Sequence, residues 1–179
     1  MKSVETIRDF FLAVNSSELE RAYQNLQNHS QDEAPAVADW QEVEFAFNRL
    51  FIGPAAIEAP PFSSVYLDGE LLVMGKTTLD VRQMYGALGL ESPWKNSLPD
   101  DHISLELDAA LAMNYLVQQT NHVEMQELRE RFMRHMDTWV PLFAERIQNA
   151  PSSHPAINYV VKCLSKWLRE ETELRKERI

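Results

Sequence analysis

The stretch W-K-N-S-L-P-D-D-H-I-S-L-E-L-D-A-A-L-A-M-N-Y-L-V, residues 94 to 117, carries the clearest structural signal in the chain. Pro99 fits the first turn of a helix, because the N–H that proline lacks has no partner there. Ser97 or Asn96 can cap this helix just ahead of the proline. The apolar and alanine-rich residues that follow leave no polar stripe, which predicts a helix surrounded by others on most sides. We therefore expect a central buried helix that begins at about Pro99.

Two acids and a histidine mark the start of this helix. The predicted boundary puts Asp100 and Asp101 in the first turn, where the helix dipole favours carboxylates by about 0.3–1 kcal/mol each. His102 and Glu106 are one turn apart on the same face, and Glu106 lies between two leucines in the sequence. Because a carboxylate in a core requires a partner, we expect Glu106 to be hydrogen-bonded.

Composition indicates the fold class. The chain has 179 residues, of which 45% are hydrophobic and only five are glycine. This length suits one domain with a proper core, and the long segments of 3.6-residue periodicity are typical of helices. We predict an all-α, single-domain helical bundle over residues 1–179. The proline-containing residues 54–76 are the exception and are predicted to be irregular, with no helix.

Charge and targeting signals limit the partners. The formal net charge is −10, which argues against general binding to nucleic acids or anionic membranes and permits a basic partner. The N-terminus carries acids and lacks the long apolar segment of a signal peptide. The longest uncharged run, residues 109–123, is too short to span a bilayer. These features predict a soluble protein in the cytoplasm.

Three enzyme or metal hypotheses have little support in the sequence. The segment from Gly69 to Thr77 ends in G-K-T like a phosphate-binding loop, but five residues separate its glycines where that motif has four. A di-iron bundle needs Glu-x-x-His pairs, and none of the five histidines has Glu three residues before it. Neither a G-x-S-x-G elbow nor a cysteine near a histidine is present. We expect no metal, no cofactor and no catalytic residue.

Peptide binding is the better supported chemistry. Asp100 and Asp101, placed beside the aromatic residues Trp94, Tyr66 and Phe62, would form an acidic cleft lined by rings. Such a cleft suits guanidinium groups, which bind carboxylates through paired hydrogen bonds and stack on aromatic faces. The alternative is a purely structural role, in which both aspartates only stabilise the start of the helix.

A resemblance to a known family strengthens this hypothesis. The segment L-P-D-D-H-I-S-L-E-L, residues 98–107, resembles the E-P-x-D-H-x-x-x-E-L signature of the TorD/DmsD/NarJ family of redox-enzyme maturation chaperones. Further segments resemble that family in the same order: R-L-F-I-G-P at 49–54, A-P-P-F-S-S-V-Y at 59–66, Tyr85 with Gly89-Leu90, and Trp139 with Pro141 and Phe143. The resemblance covers about residues 44–160 and implies a TorD-like, all-helical fold.

The resemblance also implies a function. Family members are cytoplasmic chaperones that bind the twin-arginine leader, the apo form of a molybdopterin oxidoreductase, or both, and they assist cofactor insertion and delay export. Their site residues carry over to Tyr66, Pro99, Asp101, His102 and Glu106, and we add Asp100 and Trp94 from position and chemistry. Asp101 and His102 are expected to face arginine and organise the cleft. Glu106 is expected to have a buried structural role.

Departures from the pattern keep alternatives open. Leu98 stands where the family usually has Glu, and Ser63 replaces the Glu before S-V-Y, so two acids that could contact arginine are missing. A generic helical adaptor without leader specificity is one alternative, and a nucleotide-binding enzyme using the Lys76 loop is another. The family also includes domain-swapped dimers and weak guanine-nucleotide binders. The loop 91–98 is a candidate swap hinge, and the sequence decides neither property.

Overall fold

The computed structural model describes residues 2–69, 74–90, 98–120 and 122–176, with side chains to residue 173. Within these ranges the regular structure is helical, apart from an isolated antiparallel bridge between Phe62 and His102. The helices, in chain order, are α1 Lys2–Leu12, α2 Ser16–Gln27, α3 Trp40–Phe51, α4 Ser63–Leu67, α5 Lys76–Ala87, α6 Ile103–Gln119, α7 Val123–Asn149 and α8 Pro155–Lys176. The predicted all-α class is confirmed.

The chain forms two compact units. The first comprises Met1–Pro61 and Pro141–Trp167, and the second comprises Phe62–Val140 and Leu168–Ile179. Both α7 and α8 contribute residues to each unit. One domain over residues 1–179 stays a prediction, and so does the swap hinge, because 91–97 lie outside the described residues.

The core of the first unit is built from aromatic rings on the apolar faces of its helices. Phe10 and Phe11 of α1 contact Phe47 and Phe51 of α3 edge to face, with ring centroids 5.8 and 5.5 Å apart. Phe143 of α7 packs on Phe11 at 5.8 Å. Edge-to-face contacts of this kind add to the stabilisation that burial of the rings provides.

The second unit contains α6, and its observed start corrects the predicted one. The helix begins at Ile103, and His102 is its N-cap. The carbonyl of Pro99 accepts the N–H of His102 at 3.1 Å, which closes a turn ahead of the helix. Pro99 therefore fixes this turn, and the aspartates precede the helix instead of occupying its first turn. The predicted caps Ser97 and Asn96 lie outside the described residues.

The first half of α6 is buried nearly all round, as predicted, with Ile103 and Leu107 fully covered. Its second half is more open, since Tyr115 is 58% exposed. None of the helices in the described ranges has a stretch long and apolar enough to cross a bilayer.

A short helix, α4, occupies part of the region predicted to be irregular. The prolines end at position 61, and α4 runs from Ser63 to Leu67 directly after them. The prediction of no helix in this region is therefore wrong. The helix depends on a hydrogen-bond acceptor supplied by a distant part of the chain, which the local sequence does not reveal.

Candidate functional site

Two separate segments of the chain are joined at Asp101. The backbone N–H of Ser63 donates to the Asp101 carbonyl at 3.0 Å, and the N–H of Ser64 donates to the Asp101 carboxylate at 2.9 Å. These bonds satisfy N–H groups that the start of α4 would otherwise leave unpaired. The other carboxylate oxygen of Asp101 and the hydroxyls of Ser63 and Ser64 are buried and have no hydrogen-bond partner in the described part of the chain.

His102 is a neutral cap for α6. Its Nδ1 accepts the backbone N–H of Ser104 at 3.2 Å and lies 2.6 Å from the Ser104 hydroxyl. The backbone contact requires an unprotonated Nδ1, so the ring proton resides on Nε2 and the Ser104 hydroxyl donates to Nδ1. Burial lowers the pKa of His102 to about 3, which agrees with this geometry. The ring also packs edge-on against Phe62, with centroids 5.2 Å apart.

Asp100 is held in place by α5. Its carboxylate accepts a hydrogen bond from Nε of Arg82 at 2.6 Å, and its backbone carbonyl accepts the Tyr85 hydroxyl at 2.9 Å. Burial, followed by the charges of Glu106 and Asp100, raises the pKa of Tyr85 well above its ordinary value, so the phenol keeps the proton that it donates. The Asp100 side chain is 11% exposed and that of Arg82 is 54% exposed.

Glu106 has the partners that its position requires. Its carboxylate accepts Nε2–H of His135 and the indole N–H of Trp139, each at 2.9 Å. Burial of His135 acts to lower its pKa, but the charge and hydrogen bond of Glu106, with further acids nearby, raise it above the ordinary value. The Trp139 ring stacks on Tyr66 at a centroid distance of 5.7 Å. Glu106 therefore links α6 to α7, and Trp139 links α7 to α4.

The predicted site residues that the structure describes all belong to the second unit, but they differ in exposure. Asp101 and Glu106 are fully buried, and His102 and Asp100 nearly so. Tyr66 and Pro99 are half-buried. Trp94 lies outside the described residues. The arginine-facing role of Asp101 stays a prediction, and its contacts show a buried cap for α4.

Residues from other helices complete the cluster. The contact of Arg82 with Asp100 is not predictable from the sequence. His135, contributed by α7, bonds Glu106. The family-like spacing of Tyr85 with Gly89-Leu90 is explained in part, because Tyr85 anchors Asp100 and Gly89 adopts the left-handed conformation, with φ +67°. Arg82 lies on the same helix, one turn before Tyr85, but nothing in the sequence marks it.

The Lys76 loop has its own internal anion. The Asp68 carboxylate accepts the backbone N–H of Thr77 at 3.1 and 3.2 Å and also the Thr77 hydroxyl. A Cβ at position 75 would collide with this carboxylate, which explains Gly75. A negative group thus occupies the N–H that a phosphate would need, and the G-K-T segment is the capped start of α5. Residues 70–73 lie outside the description.

Metal binding finds no support in the described ranges, where no group of three or more His, Cys, Asp or Glu side chains is arranged to hold an ion. The two imidazoles of the cluster each have a different function, His102 as a helix cap and His135 as a donor to Glu106.

Comparison with known proteins gives consistent matches. The sequence profile of the family described as nitrate reductase delta subunit matches residues 13–145. The Tat proofreading chaperone DmsD of Salmonella typhi is 32% identical over 119 residues, which cover 66% of this chain and 51% of that protein. The chaperone protein TorD of Vibrio cholerae is 30% identical over 133 residues, which cover 72% of this chain and 57% of TorD. The chain thus spans little more than half the length of these relatives.

A solved structure shares the fold. The crystal structure of a protein described as a redox enzyme maturation protein from Archaeoglobus fulgidus superposes with a TM-score of 0.65. It is 20% identical in sequence, and the match covers 94% of each chain.

Proposed function

Because the chain belongs to the nitrate reductase delta subunit family, together with the TorD, DmsD and NarJ maturation chaperones, we propose that it is a maturation chaperone for a redox enzyme. It binds the twin-arginine leader of a molybdopterin oxidoreductase, the apo form of that enzyme, or both. It assists cofactor insertion and delays export. It acts in the cytoplasm, by binding and without catalysis.

The observation that carries this proposal is the Asp100 carboxylate. It is almost covered, its backbone is fixed by Tyr85, and it already holds a guanidinium group at 2.6 Å. A hydrogen bond from a guanidinium to a carboxylate is charge-assisted and about twice as strong as a bond between neutral groups. The contact with the protein's own Arg82 supports the assignment of Asp100 as the acceptor.

Half-buried side chains with apolar surface belong to the same cluster as Asp100. Phe62, the N-cap of α4, and Tyr66 are one turn apart, and Phe62 packs on the His102 ring. Pro99, immediately before Asp100, is also half-buried. Partly exposed rings and a proline suit the hydrophobic stretch that follows the arginines of a leader.

The charge of the whole chain supports the same class of partner. A net charge of −10 steers a basic segment toward the protein and accelerates its association. The remaining buried groups of the cluster have supporting roles. Asp101 and His102 cap helices, and Glu106 joins α6 to α7. They fix the position of Asp100 and of the rings.

A generic adaptor for an amphipathic helix is the second candidate. It is favoured by exposed apolar side chains in the first unit, such as Phe45 at 69% on α3 and its C-cap Ile52 at 56%. An adaptor of this kind would recognise apolar spacing and would be indifferent to an arginine pair.

Calorimetric titration with a twin-arginine leader peptide and its Lys-Lys variant separates the two. The proposed function predicts that the Lys-Lys peptide binds more weakly, because lysine lacks the guanidinium fork. Equal affinities for the two peptides would rule out the arginine-specific cleft and leave the adaptor. A peptide with scrambled apolar residues and an intact arginine pair is the matched control for the hydrophobic contribution.

A further inference from the structure

The ion pair between Arg82 and Asp100 is markedly asymmetric. The acid is almost covered, with its side chain 11% exposed, while the Arg82 side chain is 54% exposed. Asp100 also lies in a turn whose backbone is fixed by the Tyr85 hydroxyl and by the bond from the His102 N–H to the Pro99 carbonyl. Arg82 reaches this fixed acid from the outward side of α5, where the neighbouring Gln83 is exposed as well.

Separating this ion pair has a different free-energy cost for Asp100 than for Arg82. A covered carboxylate without a positive partner is strongly disfavoured, because it has given up its water. A half-exposed guanidinium regains water on leaving, so its own separation from the acid costs little. Asp100 therefore requires some cation, but that cation does not have to be Arg82.

We propose that Arg82 is an internal stand-in for an arginine of the client, occupying the Asp100 carboxylate until the client's guanidinium displaces it. The inference rests on the proposed function, and it adds a residue that sets the affinity and specificity of the site. Binding at Asp100 is an exchange of one guanidinium for another. The carboxylate remains paired throughout, and the released Arg82 side chain moves into water.

This exchange has a consequence for selectivity. A ligand must bind Asp100 better than Arg82 does, so a lysine, with a strongly hydrated ammonium and no fork, competes poorly. The Arg82–Asp100 pair must be broken before a ligand binds Asp100. Arg82 therefore lowers the protein's affinity for every basic segment by the free energy of that pair. Segments that carry additional contacts, such as a second arginine and an apolar stretch, can still bind.

Removal of the stand-in tests the inference. Arg82→Gln should bind the twin-arginine leader about two- to fivefold more tightly than the wild type, the range for loss of a competing pair at a half-exposed position. Arg82→Lys, which keeps the charge but loses the fork, should fall between the two. Arg134→Gln is the matched control, because Arg134 is 59% exposed and pairs with Glu130 on α7 at 3.6 Å. It removes the same charge and should not tighten binding.

A second measurement does not require the leader. Arg82→Ala should melt at a lower temperature than the wild type, and ethylguanidinium should restore more of that loss than ethylammonium at the same concentration. The Arg134→Ala control should respond equally to both salts. This rescue reports whether Asp100 accepts an external guanidinium.

The outcomes distinguish the two proposals. If the wild type prefers the Arg-Arg peptide but Arg82→Gln binds it equally or more weakly, the stand-in is overturned and the proposed function stands. If the wild type shows no such preference, the proposed function fails, and the rescue experiment alone decides the stand-in. Rescue of Arg82→Ala by both salts alike would then overturn it.

Discussion

One oxygen of the Asp101 carboxylate accepts the backbone N–H of Ser64 at 2.9 Å, across a separation of 37 residues in the sequence. The bond is buried and connects the turn before α6 to the start of α4. Two of the segments that resemble the chaperone family, residues 59–66 and 98–107, are thereby held against each other. Asp101 shapes the site from inside the protein.

Asp101→Ala is expected to destabilise the fold by about 1–3 kcal/mol, because it leaves a buried N–H without an acceptor. Asp101→Asn should cost less, since its amide oxygen can still accept the Ser64 N–H. Urea unfolding followed by circular dichroism measures both. Unchanged stability of Asp101→Ala together with lost leader binding would contradict the cap and return Asp101 to direct contact with arginine.

The buried pair of Glu106 and His135 predicts a shift in a histidine pKa. In the wild type the Glu106 charge and hydrogen bond keep the pKa of His135 above its ordinary value, although burial opposes this. In Glu106→Gln burial is opposed only by the charges of Asp101 and Asp80, so the pKa of His135 should fall from its wild-type value. Titration of the histidine ring protons by NMR measures the change. An unaltered pKa would show that Glu106 does not control this ring.

His102 predicts a loss of stability in acid. In the unfolded chain its pKa is about 6.5, whereas burial in the fold lowers it to about 3. Between these values the unfolded state binds a proton that the folded state does not, so stability falls as the pH falls below 6.5. At pH 5 this effect amounts to about 2 kcal/mol.

His102→Asn isolates that contribution, because asparagine is a good N-cap and does not titrate. We expect the variant to match the wild type within about 1 kcal/mol at pH 8 and to lose less stability than the wild type between pH 6.5 and pH 5. Unfolding free energies in urea across this range provide the comparison. Parallel curves for the two proteins would mean that His102 is protonated in the folded state.

The Lys76 loop predicts an absence of nucleotide chemistry. Asp68 already occupies the N–H and hydroxyl of Thr77. Neither the wild type nor Lys76→Ala should hydrolyse ATP or GTP above the background rate, and the two should have the same melting temperature within experimental error. Turnover by the wild type that disappears in Lys76→Ala would instead establish an enzyme that uses this loop.

The sequence was sufficient for the fold class and for part of the cluster. The low glycine content and 3.6-residue periodicity predicted an all-α chain, and Glu106, placed between leucines, was correctly expected to have partners in the core. These features depend on local periodicity or on one residue's own chemistry, which a single sequence displays directly.

The remaining features of the fold and of the site depend on contacts between residues that are far apart in the sequence. Pro99 is equally compatible with a turn and with a helix start, and the choice is made by His102, which caps α6. The start of α4 is completed by Asp101, and the partner of Asp100 comes from α5. A single sequence contains no signal for such pairings, because each partner has an ordinary local environment of its own.

The central claim is that Asp100 receives a guanidinium from the client, and a double-mutant cycle tests it most directly. Leader peptides with Arg-Arg or Lys-Lys are titrated calorimetrically into the wild type and Asp100→Asn. Asp9→Asn serves as the control, because Asp9 is exposed in the first unit and pairs with Arg8. We predict a coupling of about 1–3 kcal/mol, so that the preference for arginine nearly disappears in Asp100→Asn and persists in Asp9→Asn. An arginine preference of the same size in the wild type and in Asp100→Asn would contradict the account.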